Sequence, residues 1–283
     1  YTTLFRSNMK KFFLLMACTV LGLGSCTERP RPLEIDNALT AEEIAAGRFT
    51  PEVMWKMGRL GGSQLSPDGK WLVYTVTYYN LGENRGVTAL YLRDMASGEV
   101  RQLTDHTSNN TSPAWSADGR TLWFIAPMEG TYQLCRLALP APDATCGTVD
   151  LPKVVTSGDH DINAFTMAGG RIVAEVTTMR MATEQFEVDP ADGKLTQLSA
   201  VNKEIYDHIR LGTVEKRWVE TTDGKRMLTW VVLPPDFDPA KKYPTLLFCE
   251  GGPQSVVSQA WSYRWNFALM ASQGYVRSEE HTS

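Results

Sequence analysis

The chain has 283 residues, 43% of them hydrophobic and 21% charged, with a formal net charge of -4. That is a globular composition with room for one large or two modest domains. The acidic balance and the lack of a basic run exclude a surface that binds nucleic acid through phosphate neutralisation.

Tyr1 to Ser7 reads YTTLFRS and Arg277 to Ser283 reads RSEEHTS. Both resemble in-frame translations of sequencing-library adapters, so residues 1-8 and 277-283 are set aside as artefact before the fold is considered. Authentic sequence is then expected to run from Met9 to about Val276.

Met9 is followed by Lys10, Lys11 and an apolar stretch from Phe12 to Leu23. This is the grammar of a signal peptide, and it falls short of the ~20 residues that span a bilayer. Leu23-Gly24-Ser25-Cys26 resembles a bacterial lipobox, so residues 9-26 are expected to be a lipoprotein signal. Cys26 would carry the acyl chains that anchor the protein to a membrane. A plain cleaved secretory signal is the alternative. Either way the protein is exported, and the lipid places it in the periplasm or at the outer membrane.

Residues 27-61 read as a Pro-rich tether followed by short helices. Thr40-Ala41-Glu42-Glu43 has capping-box spacing. Thr50-Pro51-Glu52 offers an N-cap hydroxyl with proline at the first helical position. Cys135 and Cys146 lie close enough in sequence to pair in an oxidising compartment, and two unpaired buried thiols fit equally well. His106, His160 and His208 are scattered singly, and no Cys or His grouping has zinc-ligand spacing. No metal or organic cofactor is expected.

An internal repeat follows. Leu65-Ser66-Pro67-Asp68-Gly69-Lys70-Trp71, Trp115-Ser116-Ala117-Asp118-Gly119-Arg120-Thr121 and Thr166-Met167-Ala168-Gly169-Gly170-Arg171-Ile172 share one pattern. A turn with glycine and a base leads into an apolar, β-prone run, as in a hairpin. Gly69, Gly119 and Gly170 recur about every 50 residues, the length of a four-stranded propeller blade. Residues 62-212 are therefore expected to form a partial β-propeller of three blades, fewer than the ~4 to 8 that close a ring. An open fan would leave unpaired sheet edges.

From residue 213 the grammar changes. Val214 to Glu220 and Met227 to Leu233 alternate across Thr222-Asp223-Gly224, which predicts a hairpin. Thr245-Leu246-Leu247-Phe248-Cys249 is a continuous apolar run, expected as a strand buried on both faces of an α/β sheet. It ends at Glu250-Gly251-Gly252-Pro253. Trp261, Trp265, Ala268, Leu269 and Ser272 fall at helical spacing, Gly274 is a natural stop, and Tyr275-Val276 begins another strand.

Blade-like repeats followed by an α/β segment with a Gly-Gly-Pro loop resemble the prolyl oligopeptidase family of serine peptidases. Val214-Glu215-Lys216-Arg217-Trp218, Tyr243-Pro244-Thr245-Leu246-Leu247, Glu250-Gly251-Gly252-Pro253-Gln254-Ser255 and Trp261-Ser262-Tyr263-Arg264-Trp265-Asn266 are most similar to its bacterial dipeptidyl peptidase 5-type members. The resemblance covers roughly residues 48 to 276. It implies a mixed fold: incomplete propeller blades, then the N-terminal start of an α/β-hydrolase domain over 213-276.

The resemblance also implies a chemistry. In the family a serine on a G-x-S-x-G elbow attacks the peptide carbonyl with help from histidine and aspartate. That motif is absent from this chain, so the triad is expected to lie beyond Val276 and the chain as it stands is expected to be inactive. The loop after an early strand contributes to the oxyanion hole in such domains, which makes Glu250, Gly251 and Gly252 the candidates for that role. The Glu250 carboxylate accepts only and would repel an oxyanion, so the backbone N–H groups are the expected donors. Short peptides are the implied substrates and release of dipeptides the implied reaction. An acylaminoacyl peptidase would share every motif here. A TolB-like binding propeller would share the repeats alone.

Overall fold

The computed structural model describes residues 31–35, 37–48, 50–139, 151–249 and 257–280, with the backbone alone at 249 and 277–280. The signal segment, Cys26, Cys146 and the loop residues Glu250, Gly251 and Gly252 lie outside the described residues.

Two short helices open the described chain, α1 (Ala41–Ala46) and α2 (Pro51–Lys56). The Thr40 hydroxyl accepts from the Glu43 amide at 3.2 Å, and the Glu43 carboxylate accepts from the Thr40 amide at 2.7 Å. The capping box expected from the sequence is thus formed at both ends. Lys56 joins the helices, donating to Glu43 at 2.7 Å and to the Ala38 carbonyl at 3.0 Å. The Lys56 ammonium holds the Glu43 carboxyl below its ordinary range.

Three four-stranded antiparallel meanders follow, each in sequence order. The first holds β1 (Arg59–Leu65), β2 (Trp71–Asn80), β3 (Arg85–Asp94) and β4 (Val100–Gln102). The second holds β5 (Thr111–Trp115), β6 (Thr121–Met128), β7 (Thr131–Ala138) and β8 (Lys153–Val154). The third holds β9 (Asp161–Ala168), β10 (Arg171–Thr178), β11 (Met181–Val188) and β12 (Leu195–Gln197). This is a propeller-like arrangement.

The shared turn has one physical basis in the first two sheets. Ser66 donates to Asp68 at 2.6 Å, Asp68 accepts from the Lys70 amide, and Ser66 accepts from the Trp71 amide. Ser116, Asp118, Arg120 and Thr121 repeat every bond. The third sheet lacks the aspartate and turns differently. Gly169 and Gly170 have φ of 56° and 78°, the pair of positive angles that a two-residue type I′ hairpin requires and that glycine adopts freely.

Each meander also closes alike. The Thr104 hydroxyl accepts from the Leu90 amide, Thr156 from Leu134, and Ser199 from Gln185, at 2.9, 2.9 and 2.8 Å. The middle instance was not visible in the sequence, because Val155-Thr156 is separated from β7 by the long stretch around Cys146.

The core runs between the sheets. Val73, Leu90, Leu92 and Leu103 of the first meander pack on Leu122, Phe124, Ala126 and Leu137 of the second. Trp123, Ile125 and Leu134 point the other way, onto Ile162, Ile172, Ala174 and Val176 of the third. The β6 strand is therefore buried on both faces, which explains its unbroken apolar run from Leu122 to Ala126. By contrast β1 is exposed along its whole length. Cys135 lies in the first core as a free, buried thiol. Burial pushes its pKa up to about 12.

The last sheet is mixed, in the order β13-β14-β16-β15. The hairpin β13 (Val214–Glu220) and β14 (Arg226–Val232) forms as the sequence predicts. Next, β15 (Thr245–Cys249) pairs in parallel with β16 (Val276–Glu280), and the connection between them carries α4 (Phe267–Ser272). A parallel pair needs such a crossover.

Two expectations are corrected here. The β15 strand sits at the sheet edge with Leu246 and Leu247 at 39% and 55% exposure, so its apolar run is not buried on both faces. The helix expected from Trp261 begins only at Phe267. The Ser262 hydroxyl accepts from the Arg264 and Trp265 amides and holds them in a turn. Asn266 then caps the helix through the Leu269 amide at 2.8 Å. Such local side-chain bonds offer the backbone an alternative to helix.

Candidate functional site

The described chain resumes at Val257, just after the Gly-Gly-Pro loop, and runs along a seam between the mixed sheet and the third meander. The Trp230 indole on β14 donates to the Val257 carbonyl at 3.1 Å. Gln259 is 2% exposed, and its side-chain oxygen accepts from the Met179 amide at 3.3 Å, in the turn between β10 and β11. Met179, Trp230, Val232, Val257 and Ala271 form the apolar core of the seam.

Helix α3 (Lys203–His208) completes one wall. Its Tyr206 ring meets the Trp261 ring edge-on at 6.3 Å, and its hydroxyl accepts from the Ala182 amide at 2.7 Å. The approach to α3 is fixed by the buried Glu184 carboxylate, which accepts from the Ser199 hydroxyl and the Asn202 amide.

At the centre of the seam lies Asp161, 2% exposed, at the start of β9. Its carboxylate accepts from the Tyr132 amide at 3.0 Å, and Ser258 and Gln259 stand nearby. Burial raises its pKa above the ordinary aspartate value, and the neighbouring Ser258, Tyr132 and Gln259 groups offset only part of that. Burial likewise lowers the pKa of His160, against a smaller opposing effect of Asp159. His160 Nε2, Thr229 Oγ1, Gln259 Nε2 and Trp261 Nε1 are buried with no hydrogen-bond partner among the described residues. Each such group carries a desolvation penalty of ~1–3 kcal/mol.

Ser258 and Asp161 do not make a nucleophile and its base, because no imidazole stands between them. Among the described residues no group of three or more His, Cys, Asp or Glu side chains is placed to hold a metal. A separate cleft of about 780 Å³ opens between the Asp-Gly turns of the first two meanders, lined by Trp71, Trp115, Arg101 and Arg120. Its Asp68 and Asp118 carboxylates are committed to their own turns.

Of the candidate site residues named from the sequence (Cys26, Cys135, Cys146, Glu250, Gly251 and Gly252), only Cys135 is described, and it belongs to the core. The seam residues Asp161, Ser258, Gln259 and Tyr206 were missed. For Asp161 a sequence signal existed: it opens its strand, close to where Asn109 stands two residues before the corresponding strand of the second meander.

No protein-family model matches the chain. Among solved structures, an acylaminoacyl peptidase bound to Z-Gly-Gly-Phe-chloromethyl ketone superposes with a TM-score of 0.59 at 19% identity, covering 76% of this chain and 31% of that one. The isopeptidase AtxE2 superposes with a TM-score of 0.54 at 15% identity, covering 86% and 35%. The fold is thus shared with peptidases that are much longer chains.

Among curated proteins, dipeptidyl-peptidase 5 of Porphyromonas gingivalis is 36% identical over 214 residues, 75% of this chain and 30% of that protein. Dipeptidyl-peptidase 5 of Porphyromonas endodontalis is 34% identical, covering 75% and 37%. Dipeptidyl-peptidase 5 of the fungus Trichophyton equinum is 28% identical, covering 85% and 33%. Over the matched residues the chain is similar to dipeptidyl-peptidase 5 proteins, and it shares its fold with an acylaminoacyl peptidase. It spans about a third of the length of these relatives.

Proposed function

We propose that this chain is the N-terminal part of an exported serine peptidase that releases dipeptides from short peptides. The observation that carries this reading is the 36% identity to a dipeptidyl-peptidase 5 across 75% of the chain. In this reading the three meanders are blades of a propeller and the mixed sheet is the start of an α/β-hydrolase domain. The β15 strand followed by the α4 helix supports that assignment; four of the five β16 residues, 277-280, fall in the stretch set aside as adapter-like. The Glu250-Gly251-Gly252 loop supplies backbone donors to the developing oxyanion, which lowers the energy of the tetrahedral intermediate. The serine, aspartate and histidine of the triad come from beyond this stretch of sequence. Acylation of Cys26 holds the protein on a membrane of the envelope.

The test uses the full-length gene product. Dipeptidyl-coumarylamide substrates, N-acetylaminoacyl substrates and a fluorophosphonate probe are compared. The reading predicts dipeptide release and serine labelling. Cleavage of acyl-blocked substrates alone would make it an acylaminoacyl peptidase, and neither cleavage nor labelling would leave a binding lipoprotein. Membrane fractionation of Cys26→Ser against the native protein tests the anchor.

A further inference from the structure

Two of the three meanders meet the mixed sheet through the same part of their fold, the turn between their second and third strands. In the second meander this turn is Glu129-Gly130, bounded by the Met128–Thr131 pair. Both residues have positive φ, 44° and 74°, as a two-residue type I′ hairpin requires. In the third meander the turn is Met179-Arg180, bounded by the Thr178–Met181 pair, and Met179 is 1% exposed. The first meander has a longer connection, from Leu81 to Asn84, and its Leu81 is 54% exposed.

Both docked turns converge on Trp230. Met179 and Trp230 share one buried cluster. A Cβ on Gly130 would collide with Leu228 Cδ2 and stand 3.2 Å from Trp230 Nε1, so the missing side chain lets the second meander approach β14. Glu129 anchors the same turn: its carboxylate accepts from Lys216 Nζ at 2.9 Å. Lys216 lies opposite Trp230 on β13, with its ammonium 5.8 Å from the indole ring, within cation–π range. Trp230 is 1% exposed, and a ring packed that closely has little freedom to move. Its N–H donates to the Val257 carbonyl at 3.1 Å. Burial in this seam does not by itself secure an acceptor, because the Trp261 indole nitrogen is buried with no partner among the described residues.

We propose that Trp230 is a positioning residue: the Glu129-Gly130 and Met179-Arg180 turns fix its indole, and the indole fixes Val257, where the chain leaves the Gly-Gly-Pro loop. Once buried, the indole N–H keeps its acceptor in place because leaving it unpaired costs its full desolvation penalty. The place of Val257 is thus set by strands remote from it in sequence. Any bearing on catalysis rests on the peptidase reading above; the positioning of Val257 does not.

Limited thermolysin proteolysis of this chain, with the cleavage sites mapped by mass spectrometry, tests the positioning. Trp230→Phe keeps a ring and removes the N–H. It is expected to raise the rate of cleavage at Val257 about tenfold, with cleavage in β6 and β7 unchanged. Gly130→Ala is expected to act in the same direction from a distance, since the new Cβ displaces Leu228 and the indole. Gly119→Ala is the matched variant: it carries the same left-handed strain, at φ +67°, but its nearest neighbour is at 3.7 Å, and it should cleave at Val257 as the native chain does. Should Trp230→Phe fail to fold, the two glycine variants decide the matter. An unchanged rate in Trp230→Phe, equal rates in Gly130→Ala and Gly119→Ala, or a rise spread evenly over all sites overturns the proposal. In the full-length gene product, Trp230→Phe is expected to lower kcat about tenfold with KM within about twofold, as for a displaced oxyanion loop. If that product cleaves no dipeptidyl substrate, the peptidase reading falls and the positioning stands on the proteolysis. If it is active and Trp230→Phe changes neither kcat nor KM, the catalytic consequence is refuted.

Discussion

Gln64 and Trp115 are bonded twice across the first and second meanders: the Trp115 amide donates to the Gln64 side-chain oxygen at 2.7 Å, and its indole N–H to the Gln64 carbonyl at 3.1 Å. Trp115 is 6% exposed and belongs to the first core. Gln64→Ala leaves a part-buried amide without its acceptor and is expected to destabilise by about 1–3 kcal/mol. Urea unfolding followed by tryptophan fluorescence measures it. No change in midpoint would mean that solvent already satisfies the Trp115 amide.

Phe124 is fully buried between the same two sheets. Phe124→Ala is expected to cost about 3–5 kcal/mol through lost burial and the cavity left behind. Leu60, 74% exposed on β1, is the comparison: Leu60→Ser should stay within about 0.5 kcal/mol. Equal effects would show that β1 is covered in solution.

Gly193 has a φ of +76°, and a Cβ there would stand 1.9 Å from the Val155 carbonyl oxygen. The left-handed angle alone is worth about 1–2 kcal/mol against alanine, and the clash with backbone has no flexible side chain to relieve it. Gly193→Ala should therefore lower the melting temperature more than Gly62→Ala, where nothing lies within 4 Å. Equal melting temperatures would argue against the close approach of the third meander to the second.

Asp161 and His160 give opposite pH slopes. Asp161 keeps its proton to higher pH in the folded chain than the ordinary 3.8. The native state then binds more protons in that window, and stability falls as pH rises through it. His160 is depressed from 6.5, so the unfolded chain binds more protons below that value and stability falls as pH drops. Urea midpoints of the native protein and Asp161→Asn, compared across pH, should differ only in the first limb. Coincident profiles would mean that Asp161 titrates as it does in the unfolded chain.

The Cys135 thiol, with its pKa pushed to about 12 and no exposed surface, should resist iodoacetamide in the native chain. Peptide mapping after labelling in buffer and in urea checks this, since only the thiolate reacts. Rapid native labelling would place the first core open to solvent.

Turns, caps and strand periods were legible in the sequence because each is decided by neighbours a few residues apart. The Ser66–Asp68 turn, its Ser116–Asp118 repeat and the Thr40–Glu43 cap close within three residues. The same local rule misled at Trp261 to Trp265, where apolar spacing suggested helix and the Ser262 hydroxyl made a turn. Burial was less legible. Leu122 to Ala126 and Thr245 to Cys249 read alike, yet the first lies between two sheets and the second at an edge.

The tertiary structure alone decided the seam. Nothing near Asp161 in sequence shows that the Tyr132 amide will donate to its carboxylate or that Ser258 and Gln259 will stand beside it, since these residues arrive from another strand and from the far side of the Gly-Gly-Pro loop. Hydrogen bonds over such separations depend on which sheet faces pack together, and that is set by the summed burial of two apolar cores rather than by any local pattern. The sequence by itself determined the repeat and its turns; packing determined which aspartate became buried.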